Sequence, residues 1–239
     1  VWTMPIDKPD QAEMVLESPD GTWWGPIDWS NDGKHLLIQN YISITNSKVY
    51  LVDLETKEKT LILGNLAESS VNSGLAFDAA NTGVFFTTDT FAEFNQLAHK
   101  NIVTGEVTII SQNINWDVDG FAISSDGKRA AFKVNENGFS ALYLLNTQTL
   151  QYQQVEDLPM GLVGGMQFNE AGSQLGLSLN TYQSPSDTYT LALSRNPLRH
   201  KDLVRWTQSE VGGLDTSTFV EPQLITYPTF DNRNIPAFV

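Results

Sequence analysis

The sequence predicts an all-β protein built from repeated four-stranded sheets. Three observations predict this class: a turn that returns at a regular interval, short strands rich in β-branched and aromatic residues around each turn, and no sustained helical periodicity. The turn is clearest at residues 29–34, where Asn-Asp-Gly separates two apolar runs. Glycine accepts a positive φ and aspartate tolerates one, so this pattern is typical of a hairpin.

The interval between the turns indicates the architecture. Four apolar residues end the first strand of each repeat, namely Trp29, Phe77, Ile123 and Phe168. They recur with a period of about 45 residues, the length of one four-stranded propeller blade. Because a blade packs on its neighbours through both faces, we expect both faces to be apolar and these four side chains to be buried between blades.

The chain divides into blades in order. We assign residues 18–63, 64–111, 112–155 and 156–206 to four blades, and residues 1–17, with only two short strands, to a half blade. Ser-Pro-Asp-Gly at 18–21 resembles the turn but falls between blades, so we interpret it as a loop. The polar segment from 207 is a linker, and a hairpin at 223–239 belongs to no blade. The predicted fold is a β-propeller with four repeats and a half blade, part of a larger ring whose missing inner strands come from upstream or from the C-terminal end.

Composition limits the partners and the chemistry. The chain has 239 residues, a formal net charge of −14 and no cysteine. The acidic excess disfavours nucleic acid, and the lack of cysteine excludes disulfides and thiolate metal sites. No apolar run is long enough for a membrane-spanning helix, and residues 1–4 do not have the basic start of a signal peptide. Periplasmic, secreted and cytoplasmic locations all remain open.

Two motifs carry a family resemblance. Trp-Ser-Asn-Asp-Gly-Lys at 29–34 and Ile-Ser-Ser-Asp-Gly-Lys at 123–128 resemble the TolB-like and WD40-like propeller repeat, with Asn31 where that repeat has proline, a change expected only to loosen the turn. The strings at 203–207, 219–222, 225–231 and 235–238 resemble the junction between propeller and hydrolase in the prolyl oligopeptidase family of serine peptidases, which includes acylaminoacyl- and dipeptidyl-peptidase-like members. Asn232 stands where the family usually has glycine.

The resemblance implies a catalytic triad elsewhere. The family needs Gly-x-Ser-x-Gly followed by aspartate and histidine, and the strings at 138–142 and 172–176 do not fit. His35, His99 and His200 lie in different repeats, and we interpret them as solvated surface residues. We therefore expect no catalytic residue and no cofactor in this chain, and activity only in a parent serine peptidase.

Two possible binding features remain. Asn115, Asp117, Asp119 and Asp126 nearly match a calcium loop, but the first and last ligands are wrong and strands flank the motif, so we predict no metal site. Residues near the starts of inner strands are candidates for the rim of a central channel, where aromatics stack on ligands or simply fill space between blades. These candidates are Trp23, Trp24, Asn72, Trp116 and Asp117.

The sequence thus favours one function and leaves two open. The favoured one is a non-catalytic propeller region that gates or positions peptide substrates for a downstream α/β-hydrolase domain. The alternatives are a free-standing TolB-like propeller that acts as a protein-binding scaffold, and a propeller glycosidase or lyase, which would need carboxylates clustered on one rim. An incomplete ring would also expose an apolar blade face and associate with itself through it.

Overall fold

Antiparallel β-sheets make up the protein. A computed structural model describes residues 1–18 and 20–239, so the predicted loop at 18–21 lies partly outside the described residues. Within them, four sheets have four strands each and two sheets have two strands, which confirms the all-β class and the propeller-like blades. The described helices are short 3-10 turns, none long or apolar enough to cross a membrane.

The strands follow the predicted order. The half blade contains β1 (Trp2–Thr3) and β2 (Glu13–Met14), with a 3-10 turn at Pro9–Gln11 between them. The first blade contains β3 (Trp23–Trp29), β4 (His35–Ser43), β5 (Asn46–Asp53) and β6 (Lys59–Leu63). The second contains β7 (Asn72–Phe77), β8 (Gly83–Thr88), β9 (Gln96–Asn101) and β10 (Val107–Ile109). The third contains β11 (Val118–Ile123), β12 (Arg129–Glu136), β13 (Phe139–Asn146) and β14 (Tyr152–Gln154). The fourth contains β15 (Gly161–Phe168), β16 (Gln174–Thr181), β17 (Ser184–Leu193) and β18 (His200–Arg205). After a 3-10 turn at Thr216–Thr218, β19 (Leu224–Pro228) pairs with β20 (Asn234–Phe238).

The same side-chain chemistry closes the turn after each inner strand. A serine, aspartate or asparagine at the first turn position accepts hydrogen bonds from backbone N–H groups on the far side of the turn. These residues are Ser30, Asp78, Ser124 and Asn169. Three positions later the backbone has a positive φ, at Gly33, Asn81, Gly127 and Gly172. Asn81 replaces glycine in this role, because asparagine tolerates the left-handed conformation.

The chain forms two compact units, Val1–Val118 and Asp119–Val239. In the first unit, the core between two blades contains Leu37 and Val49 from the first blade and Phe77 and Phe86 from the second. A smaller cluster joins Val15 of the half blade to three residues of the first blade, Leu36, Ile38 and Val52. In the second unit, residues of the third and fourth blades share one core, which includes Leu142, Leu144, Leu175, Leu177 and Leu191.

Two of the four anchor residues are not buried as predicted. Phe77 and Phe168 are buried, but Trp29 is 46% exposed and Ile123 is only half-buried. The half blade packs on Leu36 and its neighbours through Val1, Val15 and Leu16, and Trp29 does not belong to this cluster. At the end of β11 it is Ala122 that packs on the core of the second unit, so Ile123, the next residue along the strand, points to the opposite face.

The fourth blade also departs from the expectation of two apolar faces. Along β16, Leu175, Leu177 and Leu179 are buried, while Gln174, Gly176 and Ser178 between them are not. Strand β17 alternates in the same way, with Thr188 and Thr190 on the polar face. This blade is apolar on one face only, as in sheets that face water on the other side.

Candidate functional site

The two predicted rim residues at the start of β3 have different surroundings. Trp23 is 58% exposed, and its ring lies over Gly25, where any Cβ would overlap it. The ring centroid of Trp24 lies 5.0 Å from that of Tyr50, and Lys59 Nζ lies 4.4 Å from the Trp24 centroid. Trp24 Nε1 donates to Asp20 Oδ1 at 3.2 Å. Burial, and then the charge of Asp20, raise the pKa of the Tyr50 hydroxyl.

The third predicted rim residue, Asn72, belongs to a buried hydrogen-bond network at the start of β7. It is 3% exposed, its Nδ2 donates to Ser70 Oγ at 2.8 Å, and its Oδ1 accepts from Thr88 Oγ1 at 2.9 Å. Its backbone carbonyl accepts from Ser47 Oγ at 2.9 Å. Asn72 therefore joins the second blade to the first and has little surface with which to contact a ligand.

The last two predicted rim residues lie next to a different loop. The ring centroid of Trp116 is 6.4 Å from that of Phe94, and Asp117 Oδ1 accepts from Asn95 N at 2.6 Å. Asn95 Oδ1 is buried and has no hydrogen-bond partner among the described residues. The five predicted residues thus occupy three separate clusters of the first unit, and of these Trp23 and Asp117 are exposed.

The carboxylates of the calcium-like motif are engaged in local interactions. Asp119 Oδ1 accepts from Lys133 Nζ at 3.0 Å, and Asp126 Oδ1 accepts from Ser124 Oγ at 2.7 Å. The Ser124 hydroxyl holds the pKa of Asp126 below its usual value. In the part of the chain that the structure describes, no group of three His, Asp or Glu side chains is placed to hold a metal ion.

The three histidines have distinct partners, and one prediction about them is wrong. His35 Nε2 lies 3.8 Å from Asp53 Oδ2, and His200 Nδ1 lies 2.9 Å from the Lys201 carbonyl oxygen. His99 is not a solvated residue: its side chain is 18% exposed and lies 3.1 Å from Asp78 Oδ2. The His99–Asp78 contact lies beside Gly83 of the second blade. A Cβ at this position would overlap both the His99 ring and the Asp78 carboxylate, so glycine leaves room for the contact.

A cavity of about 420 Å³ lies in the first unit, between the end of β6 and the second blade. Apolar side chains from both blades form one wall, including Ile62, Leu63, Phe86 and Val107. The polar wall comes from the connection at 64–70 and from the loop after β8. Lys100, Glu68 and Asp89 bring charge to the lining, and Asn72 is the only predicted rim residue among its described lining residues.

A buried aspartate anchors the segment that leaves the last blade. Asp187 is 1% exposed and accepts from Arg205 Nη2 at 2.5 Å, from Thr207 Oγ1 at 2.8 Å and from the Ser209 backbone N–H at 2.9 Å. Burial alone would raise its pKa, but the hydrogen bonds from Thr207, Arg205 and Ser209 outweigh burial and lower the pKa to about 2. Residues 207–209 are thereby tied to β17.

The sequence analysis did not identify Asp187 or Lys100. Of the two, Asp187 could have been found from the alternation of residues along β17. Asp187 has the same parity as Tyr189, Leu191 and Leu193, the inward positions of β17. A charged residue in an inward register needs partners, because an unpaired buried charge is costly. Lys100 has no comparable pattern, since its place beside the cavity depends on how two blades pack.

Comparison with known proteins supports the fold. No protein-family model matches the chain, and no curated protein matches it by sequence. A structure from an analysis of two prolyl endopeptidases superposes on 97% of this chain with a TM-score of 0.77 and 14% identity, and the match covers 33% of that chain. Prolyl oligopeptidase B from Galerina marginata, bound to a 35mer hydrolysis and macrocyclization substrate, matches 96% of this chain with a TM-score of 0.76 and 13% identity, again over 33% of its length.

The extent of these matches defines what is similar. The chain spans about one third of the length of the enzymes. At identities of 13–14% the likeness is one of fold, and it confirms the propeller fold that the repeat predicts. The resemblance of the tail to a hydrolase junction stays a prediction. The chain therefore has the β-propeller fold found in a region of the prolyl oligopeptidases.

Proposed function

We propose that this chain is a non-catalytic propeller region of a serine peptidase of the prolyl oligopeptidase family, which gates or positions peptide substrates for an α/β-hydrolase domain. The observation that carries the proposal is the superposition of 97% of the chain on one third of a prolyl endopeptidase. The TolB-like repeat and the dipeptidyl- or acylaminoacyl-peptidase-like tail support the finer assignment. Peptide substrates are then the partners, reached through the hydrolase domain.

The tail of the chain supports the same proposal. After β18 the backbone is held by Asp187, passes through residues 210–223 and forms the hairpin β19–β20, which lies outside the four blades. The ring of Phe238 in this hairpin packs edge-on against Phe139, with centroids 4.8 Å apart. A hairpin fixed to the third blade at this point is suited to lead from a propeller into a following domain.

The test of the proposal is the coding sequence downstream of Val239. We expect a Gly-x-Ser-x-Gly motif followed by aspartate and histidine, as the triad order of α/β-hydrolases requires. The complete protein should then hydrolyse short peptides, and removal of residues 1–206 should relax its discrimination against long or folded substrates. A coding sequence without that motif would contradict the proposal.

One observation favours a scaffold as the second candidate. One face of the fourth blade is polar, and such a face is suited to water or to a polar partner surface. A free-standing TolB-like propeller that docks partner proteins would present a face of this kind. The intact mass of the native protein separates the two candidates, because the scaffold predicts a mass close to that of this chain and the peptidase a much larger one.

A further inference from the structure

The cavity beside β6 has a pre-formed polar floor. Asn72, which lines the cavity, is hydrogen-bonded to Ser47, Ser70 and Thr88, and Oγ1 of the lining residue Thr90 lies 2.7 Å from Thr88 Oγ1. Because these groups satisfy each other, the floor keeps its shape without a ligand. A volume of about 420 Å³ lies within the range of small-ligand clefts.

The lysine in the cavity lining has unused hydrogen-bonding capacity. Lys100 Nζ donates to the Ile62 carbonyl oxygen at 2.7 Å, and no carboxylate lies within 4.0 Å of it among residues 1–18 and 20–239. An ammonium group has three donors, so two remain available for an anion. Lys100 is half-buried, which strengthens its attraction for a carboxylate relative to that of a fully solvated lysine.

Two carboxylates also line the cavity, and one of them, Asp89, lies away from Lys100 along the strand direction. Glu68 is exposed and forms no ion pair with a described residue, and Asp89 uses Oδ1 to accept from Val71 N at 2.8 Å. Lys100 of β9 lies opposite Val84 of β8, and Asp89 follows Val84 by five residues. Five residues of strand correspond to about 17 Å, part of which the side chains at the two ends cover. The gap between the opposite charges suits an extended peptide of two or three residues, at about 3.3–3.6 Å per residue.

Apolar side chains form one wall of the cavity, opposite its polar lining. Leu63 and Phe86 are buried in its wall, and Phe91, at 58% exposed, lies at its edge. We propose that this cavity binds a short peptide of two or three residues, with the peptide carboxylate on Lys100, the amino group on Glu68 and Asp89, and an apolar side chain against the exposed ring of Phe91. This proposal does not depend on the function proposed above, since the site lies wholly within the first unit.

The test is calorimetric titration of the 239-residue chain with the tripeptide Gly-Leu-Gly, with its C-terminal amide and with its N-acetyl form. The unmodified peptide should bind, and each modified form should bind at least about tenfold more weakly, because each loses one charged hydrogen-bond partner. Lys100→Met should weaken binding of the unmodified peptide to the same extent and abolish the difference between acid and amide. Lys128→Met, at an exposed lysine paired with Asp126, is the matched control and should leave binding unchanged.

Three results would overturn the proposal. They are no binding of the unmodified peptide at millimolar concentration, equal binding of the acid and the amide, and unchanged affinity in a folded Lys100→Met variant. In the last case Lys100 would serve only to cap the edge of β6, a common use of lysine on exposed strand edges. If Lys100→Met does not fold, the comparison of acid and amide on the unaltered chain still decides.

Discussion

Asn31 joins two blades through their turns. Its backbone N–H donates to Asn81 Oδ1 at 2.8 Å, and its Nδ2 donates to the Asp78 carbonyl oxygen at 3.1 Å and to Asn81 Oδ1 at 2.9 Å. The sequence motif led us to expect that asparagine in place of proline only loosens the first turn. That expectation is wrong, because proline has neither the N–H nor the amide that the second turn binds.

The first prediction follows from these bonds. Asn31→Ala removes both side-chain donations to the second blade and should lower the free energy of unfolding by about 1 kcal/mol, the usual net value of such a bond at a partly exposed site. Urea denaturation measures the change. Asn113→Ala, at an exposed position, is the control and should have no effect. Equal stability of the Asn31→Ala variant and the unaltered chain would show that water replaces these bonds without loss.

Asp28 predicts a pH dependence of stability. Burial raises its pKa above the usual value, against the opposing hydrogen bond that Phe77 N donates to Oδ2 at 2.7 Å. A group whose pKa is raised by folding binds its proton more tightly in the native state, so its contribution is present below pH 3.8 and is lost as pH rises through the folded pKa. We expect Asp28→Asn to gain stability relative to the unaltered chain as pH rises from 3 to about 7.

Asp32 is the control for Asp28, because folding shifts its pKa in the opposite direction. Hydrogen bonds from Ser30 and from the Lys34 backbone lower the pKa of Asp32. Asp32→Asn should therefore lose stability relative to the unaltered chain over the same pH interval. Chemical denaturation at several pH values measures both trends, and parallel trends for the two variants would contradict the assignment.

At the scale of an element, β15 contains glycines with opposite requirements. A Cβ at Gly161 would overlap the backbone carbonyl oxygen of Asn180 on the paired strand β16, whereas a Cβ at Gly165 would meet nothing within 4 Å. Gly161→Ala should reduce the free energy of unfolding by about 1–3 kcal/mol, since backbone must move to make room. Gly165→Ala should be neutral or slightly stabilising, because it removes freedom from the unfolded chain. Thermal unfolding of the two variants tests this, and equal melting temperatures would refute the steric argument.

The connection between β17 and the linker gives a second prediction at this scale. Asp187→Asn removes the charge that Arg205, Thr207 and Ser209 bind, so residues 207–209 should exchange their amide hydrogens faster and trypsin should cleave sooner after Arg205. Asp202→Asn, at an exposed position of β18, should change neither rate. Unaltered exchange at Ser209 in the Asp187→Asn variant would mean that the linker is held by other contacts.

The anchor should also respond to acid. The pKa of Asp187 is lowered to about 2, so its contribution is present above the ordinary value of 3.8 and is lost as pH falls toward 2. In the unaltered chain, the amide hydrogens of residues 207–209 should therefore be protected from exchange at neutral pH, and this protection should weaken as pH falls toward 2.

At the scale of the whole molecule, the exposed apolar residues suggest where self-association would occur. Trp2, Met4, Met14 and Trp29 are each at least 46% exposed and belong to the half blade or the inner strand beside it. The polar face of the fourth blade, with Trp206 donating to Thr190 Oγ1, is less suited to an apolar contact. We predict association that rises with concentration and is reduced by Trp29→Ser but not by Trp206→Ser. Light scattering that shows a strict monomer, or equal effects of both variants, would contradict this prediction.

Local chemistry explains how much of the fold was predictable. The turn at Ser30–Gly33 and its copies depend on residues next to each other in the chain, and the strands around them follow from short apolar runs. The alternation of leucine with glycine, serine and threonine in β16 and β17 also indicates a one-sided blade, a pattern that the repeat period obscured. The separate surroundings of Trp24, Asn72 and Trp116 were not predictable, because each depends on residues that the fold brings from other strands or loops of the same unit.

The sequence by itself determined the class of the protein: an all-β chain of four-stranded blades, each closed by the same polar turn, because both period and turn are properties of contiguous residues. Only the tertiary structure decided which residues act together. Asn31 reaches the next turn, Asp187 holds the linker and Lys100 faces the cavity beside β6. The physical reason is that these contacts join residues 18 to 50 positions apart or connect two blades. Their geometry follows from packing that no local pattern encodes.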